Sequence, residues 1–354
     1  MPTPHTLHRR QLLSWAAALG LGSMGLAGCS SQRQDAAKTT GGAFLNVSYD
    51  PTRELYQAVN QAFAATAEGS VLAGKAISQS HGGSGKQALS VLNGLKTDVV
   101  TLALAPDIDI LAEQGQLLPK DWQKRLPHNS TPFTSTIVFL VRKGNPKGIK
   151  DWADLVRADV QTITPNPKTS GGARWNYLAA WGYVQQTTGS AQEAEAYMRQ
   201  LFQQVPVLDT GARAALISFT QRQLGDVLLA WENEAYLALQ ESGEKAEFEI
   251  VVPSMSILAE PPVAWLDKNV QERGTQQLAQ QYLQFLFTPE VQKLGAQHHF
   301  RPVDAQVQAS VAQQFKAVQL FSVDAQFGGW KQAMQTHFAD GGSYDRVFAA
   351  RGKS

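Results

Sequence analysis

Ile163-Thr164-Pro165-Asn166-Pro167-Lys168-Thr169-Ser170-Gly171-Gly172-Ala173-Arg174-Trp175 reads as an apolar strand end, a rigid double-proline turn, a Ser-Gly-Gly step and then an amphipathic helix. The two glycines let backbone approach a ligand closely, and the first N–H groups of a helix have no internal acceptor. Those groups lie at the positive end of the helix dipole, so the step forms a seat for an anion. Ser170 adds a hydroxyl donor at the same place. One such step is common at strand-to-helix turns; several in one chain are not.

Four more junctions share the pattern. Ala76 to Gln79 alternates like a strand and runs into Ser80-His81-Gly82-Gly83-Ser84-Gly85-Lys86-Gln87, after which Leu89, Leu92 and Leu95 recur at helical spacing. This is no phosphate-binding P-loop: Ser80 stands where its first Gly belongs, and Gln87 stands where a magnesium-holding Ser or Thr would follow Lys86. A nucleophile elbow fails as well, with Lys86 in place of its second Gly. Val205 to Arg213 is a short strand, a small-residue turn through Gly211-Ala212 and a helix carrying Ala215, Leu216 and Phe219. Asn46-Val47-Ser48-Tyr49-Asp50-Pro51 places proline at a first helical position, with Leu55, Val59, Ala62 and Phe63 on the apolar face. Asp226 to Trp231 reads as a buried strand ending on an indole, which donates and cannot accept. Five junctions offering donors point to one shared anion.

These strings are long and irregular, and over residues 44 to 347 the chain resembles the sulfate-binding components of bacterial sulfate ABC transporters. The blocks that carry the resemblance are Asn46 to Leu55, Ser80 to Gln87, Thr164 to Trp181 and Ala230 to Glu234. The resemblance implies an α/β, two-lobed periplasmic-binding fold of the second type, closed over one dehydrated sulfate in the cleft. Carried over residue by residue, it implies that the N–H groups of Asp50, Ser84, Gly171, Gly172 and Ala212, the Ser170 hydroxyl and the Trp231 indole hold the anion. Thr169 stands where relatives often have Ser, which leaves the role of Ser170 untouched. The resemblance further implies a monomer that hands sulfate to ABC permease subunits and their ATPase, without cofactor or catalysis. It also implies that Arg53, Lys86, Arg174 and Arg213 support the peptide groups rather than touch the ligand. Side chains beyond the first helical turn point away from the helix mouth, which agrees.

Of 354 residues, 43% are hydrophobic and 17% charged, an ordinary composition for a chain that buries a core. The net charge is +1, and −1 once Arg9 and Arg10 are removed, so nothing suggests a partner among nucleic acids or membrane surfaces. Local dipoles must therefore attract the anion. The leader carries Arg9-Arg10 and an apolar run from Leu12 to Leu26, about 15 residues, shorter than the roughly 20 of a spanning helix. It ends in Leu26-Ala27-Gly28-Cys29, a lipobox pattern, and Cys29 is the only cysteine of the chain. A lone cysteine excludes an intramolecular disulfide and a cysteine-based zinc site; here it reads as a lipidation site placing the protein in the periplasm on a membrane anchor.

The expected organisation is 1–28 signal peptide, 29–42 flexible tether, 43–129 first part of lobe 1, 130–253 lobe 2, and 254–354 second part of lobe 1 with C-terminal helices. Alternating strands and helices predict mostly parallel sheets, with crossovers at Leu126 to Pro132 and Val251 to Ser254. Among competing chemistries, His298-His299 are adjacent and do not face each other on a helix, so no metal site is expected. His81 reads as loop packing, and Glu232 and Glu234 as structural. Other tetrahedral oxyanions, thiosulfate or molybdate, are the alternative ligands. A hydrolase acting through Ser84 or Ser170 is the alternative class, and it lacks a Ser-His-Asp pattern.

Overall fold

The computed structural model describes residues 43–350; the leader, the lipobox with Cys29 and the tether lie outside the described residues. In chain order the strands are β1 Leu45–Tyr49, β2 Ser78–Gly82, β3 Val99–Thr101, β4 Phe133–Thr134, β5 Ile137–Arg142 and β6 Thr162–Ile163. There follow β7 Val227–Trp231, β8 Phe248–Val251, β9 Met255–Ile257, β10 Val263–Trp265, β11 Arg301–Pro302 and β12 Gln319–Phe321. Two four-stranded sheets result, in the orders β10-β3-β1-β2 and β6-β7-β5-β8. The strands at their centres, such as Val138-Phe139-Leu140-Val141 in β5, are continuous buried apolar runs, as sheets covered on both faces require.

The prediction of mostly parallel sheets needs correction for the second sheet. β1 runs parallel to β2 and β3, and β6 to β7, but β5 is antiparallel to both β7 and β8, and β10 to β3. The register explains this: Ile137, the first residue of β5, pairs with Trp231, the last of β7, and Val263 at the start of β10 pairs with Thr101 at the end of β3. Each strand that enters a lobe from a crossover starts at the end where the other strands terminate. Both crossovers and the carboxyl ends of β1, β3 and β7 therefore share one side of their sheets.

The crossovers also lie a few residues later than expected. Ser135 and Ala259 exchange two N–H···O bonds, each 2.9 Å, so two connecting segments run side by side. After Val251-Val252-Pro253-Ser254 the chain still forms β9 on the second lobe, and Pro261-Pro262 leads into β10.

The C-terminal helices, expected with lobe 1, pack instead over the second sheet's lobe. After β11 the chain forms β12 parallel to β9, and Tyr177 meets Phe338 at 5.2 Å between ring centroids, Phe202 meets Tyr344 at 5.6 Å, and Trp175 meets Trp330 at 4.8 Å. A Cβ on Gly182 would lie 2.4 Å from the Phe321 ring, so only glycine lets β12 approach there. This covering explains a further difference. The helix Gly171–Thr188 is buried on nearly all sides rather than amphipathic, because the C-terminal segment covers the face turned away from the sheet.

His337 sits inside that covering, 3% exposed, against the rings of Tyr177, Trp181, Phe327 and Phe338, with its Nδ1 unpartnered among the described residues. Burial, with Arg346 adding and Glu195 opposing, pushes its pKa down to about 4. The unfolded imidazole, at about 6.5, takes up a proton first. This histidine therefore costs nothing above pH 6.5, and its native neutrality destabilises progressively as pH falls toward 4. His337→Phe is expected to flatten the fall of the thermal midpoint between pH 6.5 and 4.5 relative to the parent. Parallel midpoint curves for the two proteins would contradict this.

Candidate functional site

The five junctions of the sequence meet at one place, although the strand expected from Val205 is absent and an irregular segment leads into the helix Ala212–Thr220. Asp50 starts the turn after β1, with Pro51 fixing its first helical position. Ser84 is the first residue of the helix Ser84–Leu92, behind Gly83. Ser170 caps the helix Gly171–Thr188, and Ala212 begins the helix Ala212–Thr220 behind Gly211. Trp231 closes β7. The convergence can be read from what a methyl group on each glycine would strike. On Gly171 it would lie 2.7 Å from the Ala103 Cβ and 3.0 Å from the Ser84 Cβ. On Gly172 it would lie 2.5 Å from the Trp231 Nε1. On Gly83 it would lie 2.6 Å from the Thr169 carbonyl oxygen and 2.8 Å from that of Thr210. On Gly211 it would meet the Asp50 carboxylate. Gly83, Ser84 and Ala103 belong to the first lobe and Thr169, Gly171, Thr210 and Gly211 to the second, so backbone approaches backbone across the cleft.

Three helix N-termini and one short turn thus meet at one small volume, and the first N–H groups of a helix have no internal acceptor. The side chains determine which groups remain available. The Ser84 hydroxyl donates to Asp107 Oδ2 at 2.5 Å and accepts from the Ala103 N–H at 2.9 Å, so it is committed and its backbone N–H is the free donor. The Ser170 hydroxyl accepts from the Ala173 N–H at 3.3 Å, which uses a lone pair and leaves its proton to give. The Trp231 indole is 1% exposed, and its Nε1 has no hydrogen-bond partner among the described residues. A buried donor without an acceptor costs about 1–3 kcal/mol. Its ring is held by Tyr49 at 5.4 Å and Trp175 at 6.3 Å.

Of the four cations around this seat, Arg174 and Arg213 are bound to carboxylates. Arg174 gives Nη1 to Asp107 Oδ1 at 3.1 Å and Nε to the Pro167 carbonyl at 2.9 Å. Arg213 gives Nη2 to Glu54 at 2.9 Å and lies 3.5 Å from Glu234. Arg53 and Lys86 are exposed. Burial pushes Glu234 up to about 8 against the opposing pull of Arg213, and Asp50 and Glu54 add to the rise. Burial likewise raises Asp50, with Arg53, Arg213 and Lys86 opposing. His81 is pushed down to about 4 by burial, with Arg53 and Arg213 adding, so it is neutral at pH 7 and supplies no positive charge. Neither Ser84 nor Ser170 is hydrogen-bonded to a histidine, and among the described residues no group of three or more His, Cys, Asp or Glu is placed to hold a metal. His299 stacks on Tyr236 at 4.9 Å.

Missed in the sequence were Asp107, which anchors both Ser84 and Arg174, and Asn233, whose Nδ2 donates to the Pro51 carbonyl at 3.0 Å. The Asn-Glu pair after Trp231 was visible, but nothing in its spacing marks a long-range partner.

A cleft between two α/β lobes, where three helix N-termini and a buried, unpartnered indole meet and where Arg174 and Arg213 are paired to carboxylates, defines a solute-binding protein built for an anion. The chain belongs to the bacterial extracellular solute-binding protein family, whose profile it matches over residues 45–301. It is 55% identical to the sulfate-binding protein of Escherichia coli K12 over 304 residues, 86% of this chain and 92% of that one. It is 49% identical to the thiosulfate-binding protein of Pseudomonas aeruginosa PAO1, again over 86% of this chain and 92% of the relative. Among solved structures, the sulfate-binding protein SubI from Mycobacterium tuberculosis H37Rv matches with a TM-score of 0.77 and 32% identity, covering 84% of this chain and 100% of that chain.

The glycine geometry yields a test. Gly171→Ala puts a methyl 2.7 Å from Ala103, on the opposite lobe, and parting of the lobes is its cheapest relief. Overpacking of this kind costs about 1–3 kcal/mol. Sulfate affinity, read by calorimetry, is expected to fall about 5- to 150-fold, while the anion-free thermal midpoint stays near the parent's. A variant that binds like the parent would show that the lobes need not meet here.

Proposed function

We propose that this chain is the extracytoplasmic sulfate-binding component of an ABC importer, with no catalysis of its own. In this reading the N–H groups of Asp50, Ser84, Gly171, Gly172 and Ala212, the Ser170 hydroxyl and the Trp231 indole bind a dehydrated sulfate and release it to the permease. The observation that carries the reading is the buried, unpartnered Trp231 Nε1 at the mouth of the helix Gly171–Thr188. Supporting it are the sulfate-binding names of relatives that match this chain over most of their length. Hydrogen bonds to a charged group contribute about 1.5–3 kcal/mol each. Seven give on the order of 10–20 kcal/mol before desolvation and lobe closure, and micromolar binding needs about 8 kcal/mol. The gross figure exceeds that need, so uncharged donors are compatible with affinity of this order.

Trp231→Phe keeps most of the ring volume and removes the N–H. It is expected to weaken sulfate by about 1.5–3 kcal/mol, roughly 10- to 150-fold in calorimetry, with a smaller change in stability. Binding within a factor of two of the parent would leave Trp231 as core alone.

Selectivity follows from the same set. Every proposed contact is a donor, and Ser170 already spends a lone pair on Ala173. Hydrogen phosphate carries a proton that needs an acceptor, and facing donors cost about 1–3 kcal/mol. Sulfate is expected to exceed phosphate by at least about tenfold near pH 7. Equal affinities would refute an all-donor site. A parallel titration with thiosulfate decides between the two ligands named among the relatives.

Cys29 is read as the lipidated first residue of the mature chain, anchoring it to a membrane through the polar segment that follows. Cys29→Ser is expected to release the protein from the membrane fraction, or leave it unprocessed, at unchanged sulfate affinity. Mass spectrometry finding no acyl adduct on Cys29 in the parent would rule the anchor out.

A further inference from the structure

The helix Glu232–Ser242 starts immediately after Trp231, and its first three side chains all carry polar groups into buried surroundings. Glu232, 0% exposed, accepts from Arg301 twice, Nε to Oε2 at 2.6 Å and Nη2 to Oε1 at 2.8 Å. Arg301 opens β11, which pairs with β4 beside the first crossover, and its Nη2 also donates to the Lys316 carbonyl at 3.2 Å. Asn233, 2% exposed, donates to the carbonyl of Pro51, the residue after Asp50. Glu234 lies 3.5 Å from Arg213, the residue after Ala212. Four consecutive residues thus carry one anion donor, a two-bond clamp to the crossover, a bond to the Asp50 turn on the other lobe, and the partner of a cation behind a third donor.

Burying three polar side chains in a row is costly, and a clamped guanidinium–carboxylate pair gives rigidity more readily than stability. The helix would need none of them to form, since its apolar contacts are made by Ala235 and Ala238. Their common feature is where their partners sit. The Pro51 carbonyl is on the first lobe, and Trp231 is on the second. A hydrogen bond weakens steeply once its geometry is off by a few tenths of an ångström or tens of degrees. Donors on separate lobes act on one anion only if something fixes their separation.

We propose that Asn233 and the Glu232–Arg301 pair are positioning residues for anion capture, holding the Trp231 indole in register with the Asp50 N–H without touching the anion themselves. The inference rests on the seven-donor reading of the site. The Asn233 bond crosses the cleft and forms only when the lobes meet, so it favours the bound arrangement. The Glu232–Arg301 pair fixes the end of β7 from which Trp231 projects.

The test is a double-mutant cycle read by calorimetry and by stopped-flow dissociation, with sulfate as the probe. Asn233→Ala and Arg301→Gln are each expected to weaken sulfate about 5- to 50-fold, mostly through faster dissociation. Combined with Trp231→Phe, each is expected to cost much less than its share, because the donor it positions is gone. The anion-free thermal midpoint is expected to move little for Asn233→Ala. Where Arg301→Gln fails to fold, Arg301→Lys keeps the charge and loses the two-bond clamp, and it should show the same coupling at smaller size. Parent-like affinity in both single variants, or full additivity with Trp231→Phe, overturns the proposal. A parent that binds no sulfate or thiosulfate overturns the ligand reading and this inference together; a parent that binds and variants that bind equally overturn this inference alone.

Discussion

The structure depends on bringing bare backbone from two lobes into contact at the ends of their strands. A dianion held by N–H groups needs donors on several sides, and one helix N-terminus offers only a cone of them. The solution here is two sheets whose strand ends share one side, each delivering junctions to the same volume. Side chains at the approach would keep the lobes apart. Gly83, Gly171, Gly172 and Gly211 stand where any Cβ would strike the opposite lobe or the indole. The antiparallel entry strands follow from this constraint, since the crossovers must lie at the same end as the donors.

Electrostatics follows from the geometry. Arg174 and Arg213 are committed across the cleft, to Asp107 and Glu54, so they reinforce the meeting of the lobes. A cation in direct contact would bind any anion of suitable size. Fixed N–H and O–H donors distinguish anions by whether they bring a proton. Burial raises the pKa of Glu234 to about 8 and that of Asp50 above its ordinary value, with Arg213 opposing both shifts. With a net charge of only +1, the whole chain exerts little long-range attraction on a dianion.

Much of this was legible in the sequence because strand-to-helix junctions are local. Pro51 after Asp50, Gly83 before Ser84 and the Ser170-Gly171-Gly172 step announce their helix starts within a few residues, and the structure places a helical start at each. The apolar strand into Trp231 was equally plain. What could not be read was anything set by distant pairing. The antiparallel direction of β5 depends on where the crossover enters, and the burial of Gly171–Thr188 on its outer face depends on a segment more than a hundred residues later. The helices after β12 are short, and only Gly182 beneath Phe321 hints at what this segment covers; a lone glycine in a helix has many readings.

The position of the C-terminal segment changes how the lobes are connected. With β5 and β9 flanking the Ser135–Ala259 bridge, and β11 and β12 on opposite sides of a further crossing, three connections join the lobes. Three strands of chain between two bodies restrict them to fewer relative motions than one or two would. The bridge at Ser135 lies next to Thr136, whose carbonyl accepts from the Glu232 N–H at 2.9 Å, and Arg301 clamps the Glu232 side chain from the last of these connections. The residue after the indole is therefore bound to two of the three connections, through its backbone to one and its side chain to another. Motion of the lobes about these connections must act at the base of Trp231, which Glu232 joins to the hinge through its backbone and its side chain.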